Sequence, residues 1–191
     1  SYTELHGFLV GQRARRGVGA RALEFIILTG SRTRPLLLAK WEDIDFDNAI
    51  WNCPEDNMKS GNFFRIPLSE PAMNIINSQK KYSRGEYIFG HEQTGKMSSN
   101  NCMLYTIYRM GYKGKVTTHG MRSTMRDWAG ETTKYSERIV EVCLDHTVNT
   151  AAEAAYQRGD YLAKRREIMD GWGRFCFPAG NKVVQLQGRI L

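Results

Sequence analysis

Residues 22–35 read ALEFIILTGSRTRP, and this stretch decides which fold we expect. Its first part, residues 22–29, is apolar on nearly every side, which is typical of a helix buried in a protein core. Gly30 is a common helix-ending residue, and Pro35 is favoured in the first turn of a helix. We therefore predict a buried helix that ends at Gly30, followed by a second helix that runs as far as Trp41.

Arg32 lies in the turn between those two predicted helices. From there its side chain would project from a rigid base into a cleft. The alternative is an ordinary arginine at a helix terminus, and the stretch taken alone favours that alternative.

The rest of the chain is predicted to be mainly α with a small three-stranded antiparallel β-sheet. The sheet is expected between Ile44 and Pro67, where aromatic and branched residues lie between the turn signals Asp47-Asn48 and Ser60-Gly61-Asn62. Capping residues and helical spacing predict further helices over residues 69–81, from 98 onward through 110, and over 121–128, 139–144, 151–157 and 161–175.

The composition is that of an ordinary globular domain. The chain has 191 residues, of which 41% are hydrophobic and 25% charged, so disordered, collagenous and coiled-coil proteins are excluded. Its apolar runs are far shorter than the roughly 20 residues that cross a bilayer, and no membrane segment is expected. The net charge of +7 indicates either a polyanionic partner or a solvated basic surface, and charge alone favours neither.

The cysteine spacing and the first residues of the chain indicate the cellular compartment that we expect. The four cysteines lie at least 33 residues apart, so they form no CxxC pair for zinc or redox chemistry. We expect reduced core cysteines in a cytoplasmic protein. The first residues lack the pattern of a secretory signal, and the start at Ser1 suggests a cut made inside a longer protein.

Several other segments carry residues suited to chemistry on an anion. Lys59, at the tip of the predicted hairpin, is a flexible point charge, although most such lysines are only solvated. His119 and Arg122 would share one face near a helix N-terminus, where an anion is favoured; a capping histidine beside a surface arginine is equally expected. His146 follows an apolar helix. Tyr156 comes ten residues later, and a lone tyrosine is more often a packing aromatic than a nucleophile.

In the order Arg, Lys, His-x-x-Arg, His and Tyr, the chain resembles the catalytic domain of the tyrosine recombinases. These are phage-type integrases related in chemistry to type IB topoisomerases, and the resemblance is closest to the prophage and genomic-island integrases. It extends from Ala20 to Phe175. The segments that carry it are Thr29-Gly30-Ser31-Arg32, Ala39-Lys40-Trp41-Glu42-Asp43-Ile44-Asp45, Met58-Lys59, Arg65-Ile66-Pro67-Leu68-Ser69, Thr118-His119-Gly120-Met121-Arg122, Leu144-Asp145-His146, Ala155-Tyr156-Gln157-Arg158 and Arg165-Arg166-Glu167-Ile168-Met169.

The resemblance implies a nucleophile and an acid. Tyr156 would attack the phosphodiester and form a 3′-phosphotyrosyl DNA intermediate, while Lys59 would protonate the leaving 5′ oxygen. Because the bond energy is kept in the protein–DNA ester, rejoining would need neither ATP nor a metal ion, and no cofactor is expected.

The resemblance also implies how the phosphate would be held. Arg32 and Arg122 would clamp it, since planar forked donors suit a phosphate better than lysine does. His119 and His146 would hydrogen-bond the phosphate and assist proton transfer.

One position departs from the family pattern. Three residues after the first arginine, many relatives carry Glu or Asp that orients the basic residues, whereas this chain has Pro35. Two outcomes are open: activity is lowered, or Glu42 or Asp43 compensates.

The resemblance therefore predicts a tyrosine recombinase / type IB topoisomerase-like catalytic domain over residues 1–177. In the tail, residues 178–191, Val184, Leu186 and Ile190 alternate with polar residues in strand fashion. This tail would either pack on its own subunit or be exchanged between protomers. The N-terminal DNA-binding domains of such integrases are expected to be absent from this chain.

The expected function is site-specific recombination that integrates or excises a mobile element. One alternative is a catalytically impaired domain that only binds DNA, suggested by Pro35, and another is DNA relaxation of the type IB topoisomerase kind. The expected partners are double-stranded DNA attachment sites, further copies of the chain in a homotetramer on DNA, and accessory DNA-bending or directionality proteins. The expected location is the bacterial cytoplasm, with nucleoid association when DNA is bound.

Overall fold

A buried helix runs through the core of the protein in the computed structural model, which describes residues 1–146 and 160–178. This helix, α2 (Val18–Thr29), packs against the other helices, and its apolar residues from Ala22 to Leu28 are at most 1% exposed. Its buried carboxylate, Glu24, is paired with Arg13 at 3.2 Å and with Arg21. Gly30 ends the helix in a left-handed conformation with φ of +59°. The predicted buried helix and its glycine stop are confirmed.

The other helices surround α2. They are α1 (Leu5–Arg13), α3 (Thr33–Leu37), α4 (Glu70–Gln79), α5 (Cys102–Arg109), α6 (Thr118–Thr132), α7 (Glu137–Cys143) and α8 (Leu162–Cys176), with short 3-10 helices at Tyr2–Glu4, Trp41–Asp43 and Glu55–Asn57. The predicted helix over 151–157 and the predicted strand in the tail lie outside the described residues.

The small sheet has the predicted topology. Its strands β1 (Ile44–Asp45), β2 (Ile50–Cys53) and β3 (Phe64–Pro67) are antiparallel, in the order β1-β2-β3. The middle strand places Trp51 opposite Ile66, and the buried Trp51 ring lies 5.6 Å from the ring of Phe25 on α2. The sheet is therefore fixed to the central helix by aromatic packing.

The second helix is shorter than the sequence predicts. It begins at Thr33, so Pro35 lies in its first turn as expected, but it ends at Leu37 and does not reach Trp41. The chain after it pairs with a distant segment: the Ile88 amide donates to the Ala39 carbonyl at 2.9 Å, and the Trp41 amide donates to the Glu86 carbonyl at 3.0 Å. These long-range hydrogen bonds replace the helical ones.

Two further differences concern helix starts. The helix α5 begins at Cys102 after Asn101, because Ser98 is used elsewhere: its hydroxyl donates to the buried Phe89 carbonyl at 2.6 Å. The helix α1 was not predicted, although its buried Leu5, Phe8 and Leu9 follow helical spacing. The helices predicted from Ser69, around Met121, at Ile139 and at 161–175 are confirmed as α4, α6, α7 and α8.

The thiols are free, as expected. Cys53, Cys143 and Cys176 are buried and Cys102 is partly buried. Burial raises the pKa of the Cys143 thiol to about 11, so it is protonated at neutral pH. Within residues 1–146 and 160–178, no helix is long and apolar enough to cross a membrane.

Substitution of two helical glycines by alanine tests how closely α8 packs against the start of α4. A Cβ added at Gly173 would lie 2.7 Å from the Ser69 hydroxyl and 2.8 Å from the Ser69 Cβ, whereas a Cβ added at Gly130 meets nothing within 4 Å. We expect Gly173→Ala to lower the free energy of unfolding by about 1–3 kcal/mol. The control, Gly130→Ala on the exposed face of α6, should raise it by roughly 0.5–1 kcal/mol.

Urea unfolding followed by circular dichroism measures both changes. Equal stabilisation by the two substitutions would contradict the close approach of α8 to Ser69.

Candidate active site

The end of α2 positions the first arginine. Gly30 has a left-handed backbone conformation that favours glycine over other residues. A Cβ at this position would lie 2.8 Å from the Leu144 side chain and 2.9 Å from the Met125 sulfur. The chain therefore turns tightly beneath α6 and the end of α7, and Arg32 follows as the N-cap residue of α3. The prediction that Arg32 projects from a rigid base into a cleft is consistent with this geometry.

Arg122 joins three elements of the site. It lies on α6, whose start is capped by the Thr117 hydroxyl accepting from the Gly120 amide at 3.0 Å. Its side chain is buried and donates to the carbonyls of Gly30 and Leu144. The guanidinium therefore ties α6 to the ends of α2 and α7.

The positive charge of Arg122 is buried and lies near the positive charge of Arg32, and both conditions disfavour it. Burial, and then repulsion from Arg32, lower its pKa to about 10, so the guanidinium stays protonated at neutral pH. Its Nε is buried and has no hydrogen-bond partner among the described residues. An anion entering the site would offset both costs.

His146 contacts Arg122 directly. Its Nε2 accepts from an Arg122 Nη2 at 3.1 Å, and its Nδ1 donates to the Glu141 carboxylate, which also accepts from Arg126. Because Arg122 can only donate and the Glu141 carboxylate can only accept, these partners fix the neutral tautomer with the proton on Nδ1. Burial alone would raise the pKa of Glu141, but the hydrogen bonds from His146 and Arg126 lower it below its ordinary value.

Asp145 supplies the carboxylate that contacts Arg32. Arg32 donates from Nη1 to Asp145 Oδ2 and from Nη2 to the Asp145 carbonyl at 3.1 Å. Neither residue expected to compensate for Pro35 takes this position. The exposed Glu42 lies 3.8 Å from Lys40, and Asp43 accepts from the Lys40 amide at 2.8 Å.

Pro35 lies beside these charges. It is buried and lines a small pocket together with Arg32, Arg122 and Asp145. The apolar walls of the pocket come from β3, from the loop before it and from α7 with its C-terminal end: Met58, Phe64, Ile66, Cys143 and Leu144. The two arginines of the sequence prediction therefore meet at one low-dielectric pocket.

Lys59 and His119 are exposed at the edge of this region. Neither side chain makes a hydrogen bond or an ion pair with another residue in 1–146 or 160–178. Lys59 is nevertheless tied to the site through its neighbour, because the Ser60 hydroxyl donates to Asp145 Oδ1 at 3.2 Å. His119 lies one helical turn before Arg122 on α6. Tyr156 lies outside the described residues.

A second cluster of charged side chains fixes the chain at Asp160, just before α8. Arg65 on β3 donates from Nε and Nη2 to the two carboxylate oxygens of Asp160, both at 3.0 Å. Arg165 is 1% exposed, lies 4.3 Å from the centre of the Phe64 ring, and donates to the carbonyls of Arg65 and Asp160. Residue 160 is thereby anchored to the sheet.

Sequence reasoning missed Asp145, Glu141 and Asp160. Asp145 and Glu141 lie close to the histidine motif, but their partners, Arg32 and Arg126, are 113 and 15 residues away in the chain. No spacing rule connects such residues.

The family model of the phage integrase family matches residues 15–161. The chain belongs to the phage integrase family. It is 30% identical over 182 residues to the integrase of Enterobacteria phage P4, a match that covers 86% of this chain and 42% of that protein. It is 31% identical over 154 residues to the prophage integrase IntZ of Escherichia coli strain K12, covering 79% of this chain and 38% of that protein. The chain thus spans about two fifths of the length of these relatives.

Solved structures confirm the fold class. The lambda integrase catalytic core, at 18% identity, matches with a TM-score of 0.57 over 78% of this chain and 90% of that one. A lambda integrase tetramer bound to a Holliday junction, also at 18% identity, matches with a TM-score of 0.56 over 80% of this chain and 45% of that one. This phage integrase domain therefore has the mainly α fold with a small antiparallel sheet that the sequence predicts.

The hydrogen bonds that the Glu141 carboxylate accepts from His146 and Arg126 predict how the stability of the protein depends on pH. Since the folded-state pKa of Glu141 lies below its ordinary value of 4.5, its carboxylate stabilises the fold at neutral pH, and that stabilisation is lost as the pH falls through the folded-state pKa. Below about pH 4.5 the free energy of unfolding of the wild type should therefore decline more steeply than that of Glu141→Gln.

Urea unfolding at a series of acidic and neutral pH values provides the measurement. The matched control is Glu137→Gln, which removes an exposed partner of the same Arg126 and should keep most of the wild-type slope. Parallel pH profiles for Glu141→Gln and wild type would contradict the predicted stabilisation of the fold by the Glu141 carboxylate.

Proposed function

We propose that this chain is the catalytic domain of a site-specific DNA recombinase that integrates or excises a mobile element. The observation that carries the proposal is the meeting of Arg32 and Arg122 at one pocket, with His146 hydrogen-bonded to Arg122. Membership of the phage integrase family supports it.

The two arginines are suited to bind the scissile phosphate. Arg122 is protonated, buried and short of one hydrogen-bond partner at Nε among the described residues. A phosphate oxygen is the acceptor that such a guanidinium favours, and a water-poor pocket strengthens the interaction. As charge builds on the phosphate oxygens in the transition state, both arginines stabilise it.

His146 and His119 act on the same phosphate in this proposal. Glu141 holds the His146 ring through Nδ1, and His146 can donate to a phosphate oxygen once its Nε2 carries a proton and Arg122 has turned from it to the phosphate. His119 is exposed on the turn that precedes Arg122, within reach of a duplex lying over the pocket.

Tyr156 and Lys59 complete the reaction. The Tyr156 oxygen attacks phosphorus and its proton passes to solvent water, while the bond from phosphorus to the 5′ oxygen breaks. That oxygen takes a proton from the Lys59 ammonium, which then recovers a proton from water. Rejoining is the reverse, so the reaction consumes no ATP and no cofactor takes part. Both roles rest on the family motif, and the link from Ser60 to Asp145 supports that of Lys59.

The proposed partners are double-stranded DNA attachment sites and further copies of the chain. The lambda integrase structures include a dimer bound to a COC′ core site and the tetramer on a Holliday junction, which supports a homotetramer on DNA here. Accessory DNA-bending or directionality proteins, and a location in the bacterial cytoplasm with nucleoid association on DNA, belong to the same proposal.

The nucleophile is tested with nicked DNA duplexes of randomised sequence, incubated with the chain in EDTA and separated on a denaturing gel. We expect a slowly migrating covalent adduct with the wild type and none with Tyr156→Phe. The matched control, Tyr105→Phe, changes an exposed tyrosine on α5 and should form adduct at the wild-type rate. Equal adduct formation by Tyr156→Phe would overturn the assignment.

Pro35 supports one alternative function, a domain that binds DNA without cleaving it. Its signature is a DNA complex on a native gel with no adduct from the wild type. This outcome, if repeated with a longer protein that carries N-terminal DNA-binding domains, would replace the catalytic proposal.

The tail is proposed to act in assembly or in packing on its own subunit. Deleting residues 178–191 should leave cleavage intact if residues 1–177 are the catalytic domain. If the tail is exchanged between protomers, the deletion lowers the mass of the DNA complex in light scattering from that of a tetramer to that of smaller species. An unchanged complex would assign the tail to its own subunit.

A further inference from the structure

Asp145 uses three acceptor atoms at the site. Its Oδ2 and its carbonyl oxygen both accept from the Arg32 guanidinium, and its Oδ1 accepts from the Ser60 hydroxyl. The Asp145 side chain is only 13% exposed and that of Arg32 is 27% exposed. The ion pair is therefore partly shielded from water, where it orders a side chain more effectively than a surface pair does.

No other described carboxylate performs this task. Pro35, which shares the pocket with Arg32, has no acidic group, Glu42 is directed to Lys40, and Asp43 is held by the Lys40 amide. Without the Asp145 side chain, the Arg32 guanidinium would lose its ion pair and keep, within the described chain, only the hydrogen bond to the Asp145 carbonyl.

The backbone at Asp145 indicates that its side chain serves a purpose. Its φ is +52°, a left-handed conformation in which glycine is free of strain and other residues are not. Asp tolerates this region better than most residues, yet glycine would suit the backbone best. A residue that keeps a side chain here does so at a conformational cost.

Asp145 also reduces the repulsion between the two arginines. The Arg122 charge is disfavoured by burial and by Arg32, and Asp145 acts in the opposite direction by raising the Arg122 pKa. Glu141 acts on Arg122 in the same direction, but only Asp145 also contacts Arg32 among the described carboxylates.

Building on the proposed function, we propose that Asp145 is the positioning residue for Arg32, in place of an acid at position 35, and that it holds the Lys59 hairpin to the same point through Ser60. Asp145 does not touch the reacting phosphate in this proposal. It fixes the Arg32 fork before DNA arrives, so that no ordering is required during the reaction.

The test compares Asp145→Gly with Ala49→Gly. Both replace a residue of positive φ by glycine, and Ala49, with φ of +49° in the β1–β2 turn, lies outside the site. On nicked duplexes at saturating concentration, we expect adduct formation by Asp145→Gly to be about 100-fold slower than wild type, and by Ala49→Gly to be unchanged.

Affinity separates positioning from damage to the fold. Removing a negative charge beside DNA should leave the Kd of Asp145→Gly within about twofold of wild type or make binding tighter, whereas a disrupted site would weaken binding and lower Tm. A wild-type cleavage rate in Asp145→Gly overturns the proposal. Slow cleavage together with weakened binding and a lowered Tm also overturns it.

A measurement without catalysis keeps this proposal separate from the proposed function. In 15N NMR spectra of the chain without DNA, restricted rotation of the Arg32 guanidinium should give separate Nη signals, identified by their loss in Arg32→Lys. They should merge in Asp145→Gly and persist in Ala49→Gly. Unchanged Arg32 signals in Asp145→Gly overturn the positioning role, whereas absence of adduct from the wild type counts against the recombinase proposal alone.

Discussion

The buried guanidinium of Arg122 holds the site together. A planar group with donors on three edges can bind two carbonyls and a histidine at once, and here those acceptors come from the ends of α2 and α7 and from His146. The carbonyls of Gly30 and Leu144 are left without helical partners, so each helix end depends on this side chain. The architecture and the proposed anion binding therefore rest on the same charged group, whose cost of burial is only partly offset by these hydrogen bonds.

One hydrogen-bonded chain extends from Arg122 and a second lies beside it. Arg126, Glu141 and His146 form one, in which the negative charge of Glu141 is enclosed by a fixed guanidinium and an imidazole. Ser60, Asp145 and Arg32 form the other, which reaches the β2–β3 hairpin. In each chain a carboxylate accepts hydrogen bonds from cationic or neutral donors. The negative charges of Asp145 and Glu141 therefore partly balance the arginine charges inside the protein, while the guanidinium groups at the pocket remain positive.

What could be predicted from the sequence was local or carried by a motif. The apolar run of α2, its glycine stop and the turn signals of the sheet act over a few residues, and the structure follows them. The end of α3 could not be predicted, because hydrogen bonds to Glu86 and Ile88 decide it from a distance. The same limit applies to the candidate site: the motif named Arg32, Arg122 and His146, which the structure brings together, but not Asp145 and Glu141, which contact them.

The presence of Pro35 and Asp145 changes which positions of this protein can tolerate substitution. If the acid that serves Arg32 lies at position 145, then position 35 is free to hold any residue that can occupy the first turn of a helix and fill the pocket wall. Position 145 becomes the constrained one, since it requires a short acidic side chain on a left-handed backbone, and the longer Glu does not fit that description. In that case a search pattern that demands an acid three residues after the first arginine would overlook proteins built in this way.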